Sequence, residues 1–310
     1  MTISFGKVGV LYGGQSSERE VSLISGKNIF NALKSKGLDV HLFDTGINSL
    51  ADLIEAKFSV VFIALHGRFG EDGVIQGILD LLGIPYTGSG QLSSSISINK
   101  IITKKLWKYE GLLTPDFMSL SGKKDFSNAC DFLGLPLIVK PVGEGSTVGT
   151  TVVKLYDDMD KAYINASVFN NEVFAEKLIV GRELTVSIIE NSSGINVLPI
   201  IEIITPDNRC YDYESKYFSK ETKYLCPAKL PLELNNDLIK ICKKAYEVIH
   251  CKGWARIDII LDKFNKAWLL EINTCPGMTI NSLMPIAARA NGINYEDLCL
   301  SILSMASFKK

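Results

Sequence analysis

The chain has 310 residues, 46% of them hydrophobic and 22% charged, with a formal net charge of −1. That composition builds two or three globular domains, and its charge balance excludes a general nucleic-acid or anionic-membrane binder, which would be basic. Seven scattered cysteines without a Cys-x-x-Cys pair argue against a disulfide framework or metal cluster and for a reducing cytoplasm, and no run reaches the ~18 apolar residues of a membrane span.

Up to about residue 98 the pattern is strand then helix, repeated. KVGVLY (7–12) is an apolar strand followed by the pair Gly13–Gly14. Ser16 or Ser17 is placed to cap the next helix, along which Val21, Ile24, Ile29, Ala32 and Leu33 form one apolar face. LDVHLF (38–43) and SVVFIAL (59–65) are further strands. The second is almost continuously apolar, as a parallel strand covered on both faces must be. An α/β fold with a doubly wound parallel N-terminal sheet is therefore expected.

The character changes at Lys100, where an amphipathic helix runs to about Tyr109. The strands PLIVKP, TTVVKL and EVFAEKLI then alternate with helices, and VGEGSTVG (142–149) is a glycine-rich loop between two of them. Beyond about residue 180 strands dominate (RELTVSII, INVLPIIEII, WARIDIIL, AWLLEI), with helices near 235–250 and 281–290.

Residues 254–273, WARIDIILDKFNKAWLLEIN, read as a hairpin around the loop KFNK. If Asp262 pairs with Ala267, Asp258 lies opposite Glu271 and Arg256 opposite Asn273, all four on one face. Ile257, Ile259, Leu261, Ile272, Leu270 and Trp268 then form the apolar face. Two carboxylates directly across a ladder repel. Either a divalent cation such as Mg²⁺ resolves the conflict, or the face is solvated and Arg256 neutralises the acids.

Upstream, Lys140 ends a strand just before the glycine-rich loop, where small residues let backbone N–H groups approach phosphate. A hairpin turn explains the same glycines. In company with a downstream Mg²⁺ site, however, the loop makes a nucleoside triphosphate a coherent ligand. EKLIVGRE (176–183) could then serve as a hinge against a purine, with Glu183 available to ribose hydroxyls. The Gly13–Gly14 turn lacks the third glycine of a dinucleotide fingerprint. Glu18, in the first helical turn, is kept ionised by the helix dipole, which suits an ammonium group and repels phosphate.

Taken together, GGQSSEREVSL, FIALHGRFGEDG, YTGSG, LIVKPVGEGSTVG, YDYESKY, CPA, GWARIDIIL, LLEINTCPGMT and SLMP resemble the D-alanine–D-alanine ligase family of ATP-grasp enzymes. The matches run in order from about residue 8 to 290. The resemblance implies three α/β domains, here bounded at 1–98, 99–179 and 180–310. It implies ATP and two Mg²⁺ (Mn²⁺ as an alternative), two D-alanine substrates, a cytoplasmic homodimer, and no nucleic-acid or membrane partner.

Residue by residue, it assigns Lys100, Lys140, Ser146 and Lys216 to ATP phosphates, Glu176, Lys177, Leu178 and Ile179 to adenine, and Glu183 to ribose. Asp258, Glu271 and Asn273 would bind the metal. Glu18 would take the first D-alanine's ammonium with His66 near its carboxylate, although His66 could instead cap a helix. Ser282 and the Leu283 backbone would hold the second carboxylate, while Arg256 and the Gly277 N–H stabilise the oxyanion. Ser146, Tyr217 and Glu18 would join lid, loop and first domain, although Tyr217 could be a packed surface aromatic. Cys275 and Thr147 stand where the family carries serine, and Gly143–Glu144 departs from its usual basic-acidic pair. A D-lactate- or D-serine-using relative, a nicotinamide oxidoreductase and a silent nucleotide-binding module are the rival readings. Tyr217 within ESKY favours the dipeptide-forming enzyme.

Overall fold

A computed structural model of the chain describes residues 5–145, 147–170, 172–191, 194–205 and 222–308. The first unit contains β1 (Val8–Tyr12), α1 (Arg19–Ser35), β2 (Val40–Asp44), α2 (Leu50–Ala56), β3 (Val60–Ile63), α3 (Val74–Leu82) and α4 (Gln91–Ile98). Its three strands are parallel in the order β2-β1-β3. All four residues of β3 are buried, as its unbroken apolar run requires.

Two local expectations for α1 are corrected. Neither Ser16 nor Ser17 caps it: Glu18 is the N-cap residue, without a side-chain cap bond. Ser16 Oγ instead donates to the His66 carbonyl at 2.7 Å and accepts from the Glu18 N–H. Ile24 is not on the buried face but 52% exposed. The helix lies so close to β1 that a Cβ at Gly26 would stand 2.4 Å from the Tyr12 Cβ. Its buried strip joins the expected Val21, Ile29, Ala32 and Leu33 to Ser22, Ser25 and Gly26, small residues that apolarity does not mark.

The second unit comprises α5 (Lys100–Tyr109), β4 (Phe117–Leu120), α6 (Phe126–Leu133), β5 (Leu137–Pro141), β6 (Thr151–Val153), α7 (Met159–Ser167) and β7 (Val173–Lys177). The sheet is antiparallel, ordered β4-β7-β5-β6. Its core joins Leu137, Val139 and Ala175 to Phe126 and Ala129 of α6 and Met159 and Ala162 of α7.

The third unit holds β8 (Gly181–Asn191), β9 (Gly194–Val197), β10 (Ile201–Ile204), β11 (Lys223–Leu225), α8 (Leu232–Val248), β12 (Trp254–Asp262), β13 (Ala267–Asn273), α9 (Leu283–Ala290) and α10 (Tyr295–Ser304). Its sheet runs β11-β10-β8-β12-β13 with β9 on β8. The run INVLPIIEII breaks into two strands around Pro199, because proline cannot donate to a ladder. Helix α8 buries Leu238, Cys242, Ala245 and Tyr246 against this sheet. Trp107 of α5 inserts there too, donating to the Ala245 carbonyl at 3.1 Å. By contrast, Met284, Ala287, Leu298 and Ile302 of α9 and α10 join the core of the first unit.

The hairpin forms as expected at its functional end and differently at its turn. Asp258 pairs with Glu271, Ile257 with Ile272 and Arg256 with Asn273. A bulge then shifts the register, so that Leu261, not Asp262, faces Ala267. Leu269 and Ala267 consequently take the core positions expected of Leu270 and Trp268. Asp262 closes the turn, accepting from the N–H groups of Phe264 and Lys266. The extra residue turns Leu270 toward the cleft, since a bulge re-aims the side chains on either side of it.

Candidate active site

Two cavities meet at the β12–β13 hairpin. The larger, about 780 Å³, lies between the second and third sheets and is lined by Lys100, Lys140, Glu176 to Ile179, Glu183, Asp258, Leu270 and Glu271. The smaller, about 440 Å³, lies under α1 and is lined by Glu18, His66, Glu71, Arg256, Glu271, Asn273, Gly277, Ser282 and Leu283. Glu271 borders both. Of the residues singled out in sequence, Ser146, Lys216 and Tyr217 lie outside the described residues.

At the shared wall each acid has a cation. Asp258 accepts both Nε and Nη2 of Arg256, at 2.9 and 2.8 Å, and the Thr185 hydroxyl at 2.6 Å. Lys100 Nζ lies 3.2 Å from Glu271 and donates to the Glu144 carbonyl at 2.7 Å. The neutralising role that the sequence leaves open for Arg256 is thus present at Asp258. No three of the histidine, cysteine and carboxylate side chains among the described residues cluster as a metal site. Asp258 and Glu271 nevertheless share one face with Asn273, whose Nδ2 is buried without a hydrogen-bond partner. Turning that amide over would present its oxygen. Two carboxylates and an amide oxygen are a donor set that fits a hard divalent cation.

In the larger cavity, the Glu176 carboxylate is buried between two ammonium groups. It ion-pairs with Lys104 and, at 2.7 Å, with Lys140. Burial pushes its carboxyl up, but the two lysines outweigh burial and hold it below the usual range. Its side chain is thus occupied by the two lysines. Lys104 is a residue that sequence reasoning missed, for nothing in an amphipathic KIITKKLWKY pattern says which lysine will be sealed inside.

In the smaller cavity, His66 caps no helix; Gly73 stands at the start of α3. Its Nδ1 lies 3.1 Å from the Cys275 carbonyl and its Nε2 3.4 Å from Ser25 Oγ. A carbonyl only accepts, so Nδ1 carries the proton toward Cys275. Burial lowers the imidazole pKa, with Glu18 opposing. The ring ties the first unit to the loop after β13. Glu71 is the second missed residue. It accepts the Gly67 N–H at 2.8 Å, and burial, then the charge of Glu18, raise its carboxyl to about 8. The acidic pair in FGEDG offers no hint of which member turns inward.

Cys275 is not a nucleophile: burial raises its thiol well above the ordinary value, and Sγ points to the Ile63 carbonyl. Ser282 Oγ accepts the Thr279 N–H at 3.0 Å and precedes α9, whose first N–H groups, starting with Leu283, are free of intrahelical partners and suit a carboxylate. The glycine-rich loop passes over Glu18. A Cβ at Gly145 would stand 2.7 Å from Glu18 Oε2, and Ser17 Oγ lies 3.5 Å from Glu144 Oε2.

Family models described as the D-ala D-ala ligase N-terminus and C-terminus match residues 7–49 and 47–89, and 106–304, respectively. A D-alanine--D-alanine ligase of Bordetella parapertussis is 56% identical over 309 residues, covering 100% of this chain and 98% of the relative. That of Cupriavidus metallidurans is 49% identical over 98% of the chain and 93% of the relative. Among solved structures, the D-alanine--D-alanine ligase of Bacillus anthracis complexed with ATP superimposes with a TM-score of 0.83 at 35% identity, covering 96% of each chain. The VanG D-Ala:D-Ser ligase of Enterococcus faecalis also gives 0.83, at 26% identity, over 96% of this chain and 98% of its own.

Proposed function

The chain belongs to the D-alanine–D-alanine ligase family, and from that premise we propose the chemistry its site performs: ATP-dependent joining of two D-alanines into D-alanyl-D-alanine for peptidoglycan synthesis. The observation that carries this reading is the wall shared by the two cavities. A nucleotide in the larger one would bring its terminal phosphate to Asp258 and Glu271, and Glu271 also borders the smaller one, where the amino acid would be anchored.

Glu18 holds the ammonium of the first D-alanine, with His66 beside its carboxylate. A carboxylate is a poor electrophile, so its oxygen first bonds to the γ-phosphorus of ATP. The bond from that phosphorus to the β–γ bridging oxygen breaks, and ADP leaves. Lys100, Lys140, Lys216 and the loop carrying Ser146 neutralise the phosphates, with Glu183 on the ribose and residues 176–179 against adenine. Asp258, Glu271 and Asn273 would hold Mg²⁺, two ions or Mn²⁺ in their place, which when bound spreads the phosphate charge.

The second D-alanine, its carboxylate held by Ser282 and the Leu283 N–H, attacks the acyl phosphate through its amine. The tetrahedral oxyanion forms within reach of Arg256 and the Gly277 N–H. The carbon–oxygen bond to phosphate breaks, the amine loses its proton, and the dipeptide and phosphate are released. Ser146, Tyr217 and Glu18 would join the lid to the first domain and keep water from the acyl phosphate. The boundaries 1–98, 99–179 and 180–310, a homodimeric assembly and a cytoplasmic location belong to the same proposal.

Phosphate release from ATP and Mg²⁺, measured with D-alanine alone and with D-serine or D-lactate added, tests the reading. Release that requires D-alanine and yields the D-alanyl-D-alanine dipeptide is expected. Release without D-alanine, or a preference for D-lactate or D-serine as second substrate, would overturn it.

A further inference from the structure

Lys104 lies one helical turn from Lys100 on α5, so both side chains leave the same face. Their fates differ. Lys100 lines the nucleotide cavity, whereas Lys104 is 0% exposed. Its ammonium donates to Thr114 Oγ1 at 2.6 Å, and the Thr114 hydroxyl donates to the Leu269 carbonyl of β13 at 2.7 Å. On its other side it pairs with Glu176 Oε2, while Glu176 Oε1 is 2.7 Å from Lys140 Nζ. One carboxylate is therefore shared by two ammonium groups, of which Lys140 lines the cavity and Lys104 stands behind.

The charge count explains why a second cation is worth burying. Glu176 and Lys140 alone sum to zero, and an anionic ligand entering the cavity would meet a cancelled charge. With Lys104 behind the carboxylate, the cluster carries one net positive charge, and Lys140 is the member placed to present it. Taking an ammonium out of water is unfavourable, and burial lowers the Lys104 pKa to about 8. Glu176, Lys140 and, at longer range, Glu271 are the charged groups that act on it. A lysine serving only to fill space there would be replaced by methionine at less cost.

We propose that Lys104 is a positioning residue for phosphate recognition: by neutralising Glu176 from the buried side, it leaves the charge of Lys140 directed into the nucleotide cavity. The Thr114–Leu269 link fixes this arrangement to the sheet that carries Asp258 and Glu271. The inference rests on the proposed nucleotide site and deepens it.

Calorimetric titration of the full chain with ADP–Mg²⁺ and, separately, with adenosine tests it without any turnover. Lys104→Met is expected to weaken ADP roughly tenfold, the scale of one charge-assisted contact, and to leave adenosine unchanged. Adding Glu176→Gln to Lys104→Met removes the carboxylate charge beside Lys140 and restores ADP affinity to within about threefold of the unaltered chain. Equal weakening of ADP and adenosine, or a double variant that binds ADP no better than the single one, would overturn the inference. If Lys104→Met does not fold, Glu176→Gln alone decides: ADP binding as tight as in the unaltered chain or tighter supports it, and a tenfold loss refutes it. Absence of ADP binding in the unaltered chain would instead remove the nucleotide reading itself.

Discussion

The two cavities that share Glu271 differ in their cations: among the described residues Arg256 is the one lysine or arginine lining the smaller, whereas Lys100, Lys140, Lys154, Lys177 and Arg182 line the larger. Under α1, Arg256 lines the cavity together with Glu18, Glu20, Glu71 and Glu271, and Glu71 is kept protonated to about pH 8 by burial and by its acidic neighbour. Across the hairpin, Lys100 and Lys140 face inward, and the acid between them and the core, Glu176, is held by two lysines. Carboxylates suit an ammonium, and lysine ammonium groups suit phosphate. In the proposed reaction the two ligands meet at Glu271, which borders both cavities.

Arg256 stands at that boundary, and its loss should have the largest effect. Arg256→Met is expected to lower kcat by about 10²–10³, the scale of losing an oxyanion donor, while the KM for ATP stays near its original value. Steady-state kinetics with each substrate varied in turn would separate the two. A defect confined to ATP binding would mean that the guanidinium serves the larger cavity, and the division would fail.

The division itself is probed by a mirror pair. Glu18→Gln should raise the KM for D-alanine about tenfold and spare ATP, whereas Lys140→Met should weaken ATP by a similar factor and spare D-alanine. Equal effects on both substrates from either variant would show that the cavities are not electrostatically separate.

The smallest effect concerns Glu71 and stability. Its folded-state pKa of about 8 stands above the ordinary 4.5. The folded chain therefore holds a proton that the unfolded chain releases between those values. This contribution is complete below about pH 4.5, declines as pH rises and is gone above about 8. Glu71→Gln should accordingly flatten the fall in melting temperature over that range in the metal-free protein. An unchanged slope would mean that Glu71 does not hold this proton in the folded chain.

Much of this contrast was legible in the residue pattern, and what was not has definite causes. The strands appeared as apolar runs and alternation, but the facing of Asp258 with Glu271, expected from a turn pair Asp262–Ala267 that does not form, is reached from the real pair Leu261–Ala267 only through the bulge. The bulge was not legible, because no residue in AWLLEIN marks itself as the extra one. Leu269 and Leu270 are chemically identical in sequence, and only packing against α8's sheet on one side and the cleft on the other tells them apart. The start of α1 was misplaced for a related reason: Ser16 has the chemistry of a cap, but the His66 carbonyl, fifty residues on, competes for its hydroxyl.

Local chemistry and periodicity thus determined the α/β class, the hairpin and the identity of most residues that line the two cavities. Tertiary structure alone decided which ionisable groups were taken out of water. Glu71, Lys104 and Glu176 look like ordinary surface charges in the chain. Each became a buried partner because segments distant in sequence closed over it, and a charge shut away from water is governed by its neighbours in space.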